Sequence, residues 1–549
     1  MESRWHLSLW FKVLVLPKFK GGQRVVLIED NPKMRGWAAT HKEIEASSSA
    51  FEYWSAHYEA LSPRDYTLQQ ASQSECEETN RIEKTVYREL LDNREGEVKT
   101  SALFPLERIE NYTAGALSLN EWLESLNDHA AATGQRRFTI RDRIVLRDTG
   151  LLSGLRRIWV TYSAAKLLEA LAWLLAQILG PIADAGLLRF RRTALISLLS
   201  SLSRYGNLAT PNVRRLHFCA SEVEEIYRFL VIALVTAVNF HEGLRLNISS
   251  RLAIVQHTAT ALVRALPWLD NATIVAAQRK LSRARTLLWP PDDLLTEDAL
   301  SVMYSGFPED AQPTGETFAD LWLHSRQALY DLETDQDYQG AVADMPANMR
   351  LPLAEYDYVR NAVRISVQAL SAPVYYEHGT DAMFYGGLGF LYARELLKSL
   401  DAEGMSFDAD GNVGHDWSSE VWKITMVERT FCLAARSSST KSGTPRTNEH
   451  RLFPDIPALE VAYAALKRAL ASDSRPTRVL EKYSEQQLFF ITLCYLMCGA
   501  AQPGIKDCNW ALRHFPPFAR HFNCLQGSKM RATKQCSVLY IEKRQEDSH

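Results

Sequence analysis

The chain has 549 residues, 46% hydrophobic and 23% charged, with a formal net charge of -3. This is the composition of an ordinary globular protein, long enough for two lobes with separate cores. Neither sign of charge dominates, which argues against a nucleic-acid or polybasic membrane binder, and no run of 18 uncharged apolar residues marks a membrane-spanning helix.

Residues 1–45 lack sustained periodicity and read as an N-terminal tail. Within it, Leu7 to Pro17 has the length of a signal-peptide apolar core, but Lys12 interrupts it and no small-residue cleavage site follows. Helical patterning runs from Ala50 to Leu91. Residues 139–158 alternate enough for a short strand or hairpin. From Thr161 to Leu288 helix dominates. The most apolar part, Trp159 to Leu188, carries Lys166, Glu169 and Asp184 and reads as a buried amphipathic helix. Ser221 followed by Glu224 has capping-box spacing, which predicts a helix over 221–240. Asp270 or Asn271 caps a further helix with Ile274, Ala277 and Leu281 on one stripe, and Pro290 and Pro291 end it. Phe307 to Ala347 is acidic and turn-rich and reads as a boundary between lobes. Glycosylation triplets begin at Asn111, Asn247 and Asn271.

The second half is organised around Phe384 to Asn412, FYGGLGFLYARELLKSLDAEGMSFDADGN. Tyr385, Gly386, Gly387, Gly389, Glu395, Asp401, Gly404, Phe407, Asp408, Gly411 and Asn412 stand in gapless register with one known pattern. The stretch resembles the zinc-binding helix, and the turn after it, of the neprilysin and endothelin-converting-enzyme family of metallopeptidases. Leu266, Trp268, Asp270, Thr273, Ala277 and Lys280 resemble a second family segment. Asn509, Leu512, Phe518, Phe522, Cys524, Gly527, Ser528, Met530, Cys536 and Val538 resemble a third. The resemblance covers about Ser49 to Tyr540. It implies a mainly α, two-lobed neprilysin-like architecture with few short strands. An N-terminal-type helical region over 46–340 would supply the lid lobe and part of the catalytic-type lobe, and 345–549 the thermolysin-like catalytic-type region. Residues 266–295 would belong to the lid lobe.

Family peptidases hold zinc with H-E-x-x-H, two histidines on one helix face, while the glutamate takes a proton from the metal-bound water. In this register the ligand positions carry Arg394 and Lys398, and only the general base, Glu395, persists as a vestige. Arginine has no lone pair to offer, lysine has one only when deprotonated, and two cations repel Zn²⁺. No His-x-x-x-His pair occurs anywhere in the chain. The third family ligand falls on Pro454, and the aspartate orienting a zinc histidine falls on Ala458. Asp455, one residue from the ligand position, is the candidate for a shifted carboxylate ligand. The substrate-binding Asn-Ala pair falls on Leu353 and Ala354. The histidine that stabilises the tetrahedral intermediate falls on Ala501, and the arginine that grips the substrate carbonyl on Asp507. Asp401 is the one retained residue of the metal's surroundings. His378 and His415 flank the stretch and read as polar loop residues. The expected arrangement is a Lys398 ammonium in the place of zinc, paired with Glu395 and Asp401, with Glu395 neutralising Arg394 as well.

The resemblance and these replacements together imply a catalytically inactive peptidase homologue, a pseudopeptidase with no metal cofactor. Its expected ligand is a peptide or a partner protein in the cleft the family uses. Two alternatives stand beside it: an active or weakly active zinc metalloendopeptidase cleaving small peptides, and a decoy or dimer partner, homo- or hetero-, of an active relative. Family cysteines imply a Cys432–Cys536 disulfide, and Cys219 matches another family position with Cys76 as its candidate partner. Cys494 reads as a core residue of its helix, and the pairing of Cys498, Cys508 and Cys524 stays open. The family also implies a secreted or membrane-associated, glycosylated protein.

Overall fold

The computed structural model describes residues 8–19, 23–61, 73–94, 99–113, 115–132, 136–190, 211–240, 243–289, 292–308, 317–333, 335, 338, 341–342, 353–412, 422, 455–471, 482–497, 508–533 and 537–539. These divide into two compact units, Met1–Val231 with Asp293–Val342, and Ile232–Asp292 with Ala343–His549. Ile232–Asp292 belongs to the same unit as the C-terminal part of the chain.

The first unit opens with β1 (Phe11–Phe19) and β2 (Gln23–Asp30), paired antiparallel with Val13 opposite Ile28 and Val15 opposite Val26. Helices α1 (Met34–Ala46), α2 (Ala50–Leu61) and α3 (Gln73–Leu90) follow. After β3 (Ala102–Pro105) and α4 (Leu119–Ala132) comes β4 (Arg143–Leu146), and the sheet order is β1-β2-β4-β3. Residues 11–19 and 23–46 are therefore built into the unit and are not a tail. Alternation hid the strands, because Val25, Val26, Leu27 and Ile28 are all buried and a strand covered on both faces shows no period of two. The predicted strand or hairpin over 139–158 is β4 alone. Asp148 then caps α5 (Thr149–Thr161) by accepting from the Gly150 N–H at 2.9 Å.

Helix α6 (Ala164–Ala183) is long and apolar enough to cross a membrane by length and composition. Leu167, Ala170 and Leu174 nevertheless lie in the core of the first unit, and Lys166 pairs with Glu78 and Glu169. It packs as an amphipathic core helix. Helices α7 (Pro211–Ile226) and α8 (Arg228–Asn239) part at Tyr227, beside which the Phe229 N–H donates to the Tyr304 hydroxyl at 3.1 Å. Ser221 thus lies inside α7 and does not cap a helix. Helix α7 begins at Pro211, ten residues earlier than the capping-box spacing suggested.

The second unit begins with α9 (Leu244–Arg264) and α10 (Asn271–Arg283). Asp270 caps α10 as predicted, accepting from the Thr273 N–H at 2.9 Å and its hydroxyl at 2.8 Å. Ala277 and Leu281 are fully buried, and the Trp268 ring stacks on Trp422. Strand β5 (Arg285–Leu287) follows. The chain then returns to the first unit for α11 (Glu297–Met303) and α12 (Phe318–Glu333), the latter within the stretch read as turn-rich. Back in the second unit, β6 (Ala354–Asp357) and β7 (Ala362–Ile365) form an antiparallel hairpin, with β5 parallel to β7. Helices α13 (Asp381–Gly386), α14 (Leu388–Leu397), α15 (Asp455–Ala471), α16 (Glu485–Met497), α17 (Cys508–Leu512) and α18 (Pro516–His521) complete it. Leu388, Tyr392, Ala393 and Leu396 of α14 are buried, as are Ala458, Leu459, Ala462 and Leu466 of α15.

A disulfide joins Cys494 to Cys508, staple between α16 and α17. Cys494 is therefore not a lone core residue, and Cys508 takes it rather than Cys498 or Cys524. Cys76, Cys219 and Cys524 carry free thiols, so the expected Cys76–Cys219 bridge is absent. Cys432, Cys498 and Cys536 lie outside the described residues.

Candidate functional site: an Arg-Glu-Lys cluster

The helical stretch 381–397 is set by close backbone approaches. Thr380 caps α13 through its hydroxyl, which accepts from the Met383 N–H at 3.3 Å. A Cβ on Gly386 would stand 2.6 Å from the Phe489 carbonyl oxygen, and one on Gly387 would collide with the carbonyl of Val374. Only glycine lets α13 pass so close to its neighbours and then turn into α14. Arg251 fixes the start of this stretch, donating to Asp381 at 2.6 Å and covering the Phe384 ring.

The last turn of α14 carries the cluster. Glu395 is 1% exposed. Its Oε2 accepts from the Lys398 ammonium at 2.5 Å, and its Oε1 accepts from Arg394 Nη1 at 3.2 Å. Arg394 also donates from Nε to Asp455 Oδ1 at 2.6 Å, which ties α14 to the first residue of α15. Although burial opposes it, Asp455 and Glu395 hold the Arg394 guanidinium above its ordinary pKa. Two cations thus meet two carboxylates, and the group is neutral as a whole.

Asp401 stands apart from this network. Its Oδ2 accepts from the Tyr358 hydroxyl at 2.8 Å and its Oδ1 from the Gly404 N–H at 2.7 Å. Burial pushes its carboxyl up to about 6, against the lowering effect of those two donors. The Asp401 N–H donates to the Lys398 carbonyl at 3.2 Å, but the expected pairing of the Lys398 ammonium with the Asp401 carboxylate gives way to the Tyr358 hydroxyl and the Gly404 N–H. Lys280 of α10 reaches the same turn. It is 0% exposed and donates to the carbonyls of Gly404 and, at 2.6 Å, Phe407.

The remaining predicted positions scatter. Ala354 is buried at the start of β6, paired with Ile365, and the Leu353 carbonyl accepts from the Ser366 N–H at 2.9 Å. Ala458 lies fully buried in α15. Asp455, the candidate shifted ligand, is taken by Arg394. His378 is exposed. Pro454, Ala501, Asp507 and His415 lie outside the described residues. Sequence reasoning missed Glu460, fully buried in α15. Its carboxylate accepts from the Ser537 hydroxyl at 2.7 Å and from the backbone N–H groups of Val538 and Leu539. A glutamate within an otherwise apolar helix face was the available signal.

The fold is shared with solved structures. PepO from Lactobacillus rhamnosis superposes with a TM-score of 0.66 at 15% identity, covering 98% of this chain and 83% of that one. The zinc metalloprotease Zmp1 of Mycobacterium tuberculosis, in complex with inhibitor, gives 0.63 at 15% identity, with 97% and 80% covered. At such identity the likeness speaks for the fold alone. Residues 354–538 match peptidase family M13. Endothelin-converting enzyme 1 of Bos taurus is 24% identical over 356 residues, 59% of this chain and 45% of that protein. Neprilysin-1 of Caenorhabditis elegans is 26% identical over 310 residues, 52% and 40% of the two chains. The chain is thus a homologue of the neprilysin and endothelin-converting-enzyme family, and it spans less than half the length of these curated relatives.

Zinc, which the fold class implies, can be tested against the side chains at this place. Structural and catalytic zinc sites are built from thiolate, neutral imidazole and carboxylate. Here Arg394 and Lys398 present hydrogen-bond donors, and both oxygens of Glu395 are engaged by them. Among the described residues no group of three or more His, Cys, Asp or Glu is placed to hold a metal. The residues of the cluster do not fit zinc.

Proposed function

We propose that this peptidase homologue is catalytically inactive, and that it binds a peptide or a partner protein where its relatives bind substrate. The observation that carries the reading is the double occupation of Glu395. A general base must accept a proton from water, and this carboxylate instead accepts hydrogen bonds from Lys398 and Arg394. Arg394 and Lys398 stand where the family's histidines would hold the metal. In this reading the cluster supports the helix as scaffold, so that the binding surface persists without the chemistry. We place the protein outside the cell or at a membrane, in keeping with its family.

Purified protein incubated with a panel of small peptides tests this. No phosphoramidon-sensitive cleavage is expected, and peptides or a partner protein should co-purify and exchange with added peptide. Phosphoramidon-sensitive cleavage would restore the metalloendopeptidase alternative.

A further inference from the structure

One end of the first unit's sheet, where β2 and β4 begin and β3 ends, is crowded with arginine. The stretch 136–142 leads into β4 there, and its backbone is held from within. Arg24 of β2 donates to the carbonyls of Arg136 and, at 2.9 Å, Arg137, and its guanidinium lies 3.6 Å over the Phe138 ring. Asn127 of α4 accepts from the Phe138 N–H at 2.7 Å, and Asp142 accepts from the Thr139 N–H at 2.6 Å and its hydroxyl at 3.0 Å. The Glu107 N–H donates to the Ile140 carbonyl at 3.0 Å, which brings the turn after β3 alongside. None of this bonding uses the side chains of Arg136, Arg137 or Arg141, and all three residues are exposed. Arg143, the first residue of β4, lies opposite Val25 and Pro105 and is exposed as well, as is Arg108 just past β3. Among the described residues none of these five guanidinium groups has an ion-pair partner.

The carboxylates of this end do not balance them. Asp142 is shared between Thr139 and Arg24, the latter at 3.5 Å. Glu107 and Asp128 are exposed, and neither is paired with one of the five. Like charges fixed on one frame repel, and an incoming anion relieves that cost. The net charge of -3 for the whole chain does not report so local a surplus.

We propose that this end of the sheet is a docking surface for a sulfated polysaccharide. Guanidinium is planar and weakly hydrated, and it pairs with oxyanions through two donors at once. Five such groups on adjoining turns of a fixed backbone suit a linear chain of repeated strong-acid groups better than a single ion. Other polyanions fit less well. Single-stranded nucleic acid binds by stacking bases on exposed rings, and Phe138, the ring of this stretch, is buried beneath Arg24. An anionic membrane rewards an apolar face, and the stretch offers it Ile140 alone, 44% exposed. The surface belongs to the first unit and the Arg394–Glu395–Lys398 cluster to the second. The inference therefore goes beyond the pseudopeptidase reading and does not depend on it.

Fluorescence anisotropy of labelled heparin oligosaccharide, titrated with the full-length protein at increasing salt, tests the surface. Heparin should bind at low ionic strength and be released steeply as salt rises. Fully desulfated heparin, which keeps its carboxylates, should bind about tenfold more weakly. Arg136→Ser, Arg137→Ser and Arg141→Ser together should weaken heparin binding about tenfold and flatten its salt dependence, whereas the same three positions changed to Lys should retain most of it. No binding of heparin, equal binding of its desulfated form, or an undiminished serine variant overturns the proposal. Tighter binding of phosphatidylserine vesicles or of single-stranded DNA overturns it as well. If the serine variant does not fold, the comparison of heparin with its desulfated form on the wild-type protein decides. Peptide cleavage would overturn the pseudopeptidase reading and leave heparin binding unaltered.

Discussion

Glu395 Oε2 accepts from the Lys398 ammonium at 2.5 Å, three residues on and just past the end of α14, and this contact turns a buried carboxylate into half of an ion pair. Arg394 completes the neutralisation at 3.2 Å. Removing the charge of Glu395 leaves two partly buried cations short of a partner. Glu395→Gln is expected to lower stability by about 2 kcal/mol, less than a fully buried pair would lose because both cations keep some solvent. Denaturant unfolding of the full chain checks this, and an unchanged midpoint contradicts it.

Arg394 bridges two helices through Asp455. A double-mutant cycle with Arg394→Met and Asp455→Asn should give a coupling energy of about 1 kcal/mol, since the pair is only partly desolvated. Strictly additive effects would show that the bridge is not formed in solution.

Asp357 of β6 accepts from Arg364 at 2.6 Å and from Arg360 at 3.0 Å. Burial alone would raise its pKa, but the two guanidinium groups overcome it and hold the carboxyl at about 2, below its ordinary 3.8. A folded-state pKa below the unfolded one contributes stability that is present above pH 3.8 and lost as pH falls through about 2. Asp357→Asn should flatten this acid limb of the stability profile. A variant with the wild-type limb would place its origin elsewhere.

The Cys494–Cys508 disulfide closes a loop of 14 residues. Replacing both cysteines by alanine should cost up to about 3 kcal/mol, the chain-entropy value for a loop of that size. Non-reducing peptide mapping should recover this bridge and leave Cys76 alkylatable after denaturation. A Cys76–Cys219 peptide would contradict the structure.

The cluster helix was legible because its glycine pattern and charge spacing are written in one short stretch, even though the approach that Gly386 permits is to Phe489. Gly386, Gly387 and Gly404 are fixed by backbone approaches, and the i, i+3 spacing of Glu395 and Lys398 is enough to place their side chains together. The Asp270 cap was legible for the same reason. What escaped depends on contacts distant in sequence. Strand β2 is flanked on its other side by β4, more than a hundred residues on. Asp455 looked like a spare ligand until α15 brought it to Arg394. Asp401 looked like a partner for Lys398 until Tyr358 of the hairpin turn claimed it. Cys494 and Cys508 both appear in the sequence, but spacing does not report Cβ geometry.

Whether the Arg394–Glu395–Lys398 cluster excludes zinc is read from the metal content of the purified full-length protein. After dialysis against buffer with trace zinc, elemental mass spectrometry should find no stoichiometric zinc, and Glu395→Gln should not alter that result. One zinc per chain, retained through dialysis, would contradict the account.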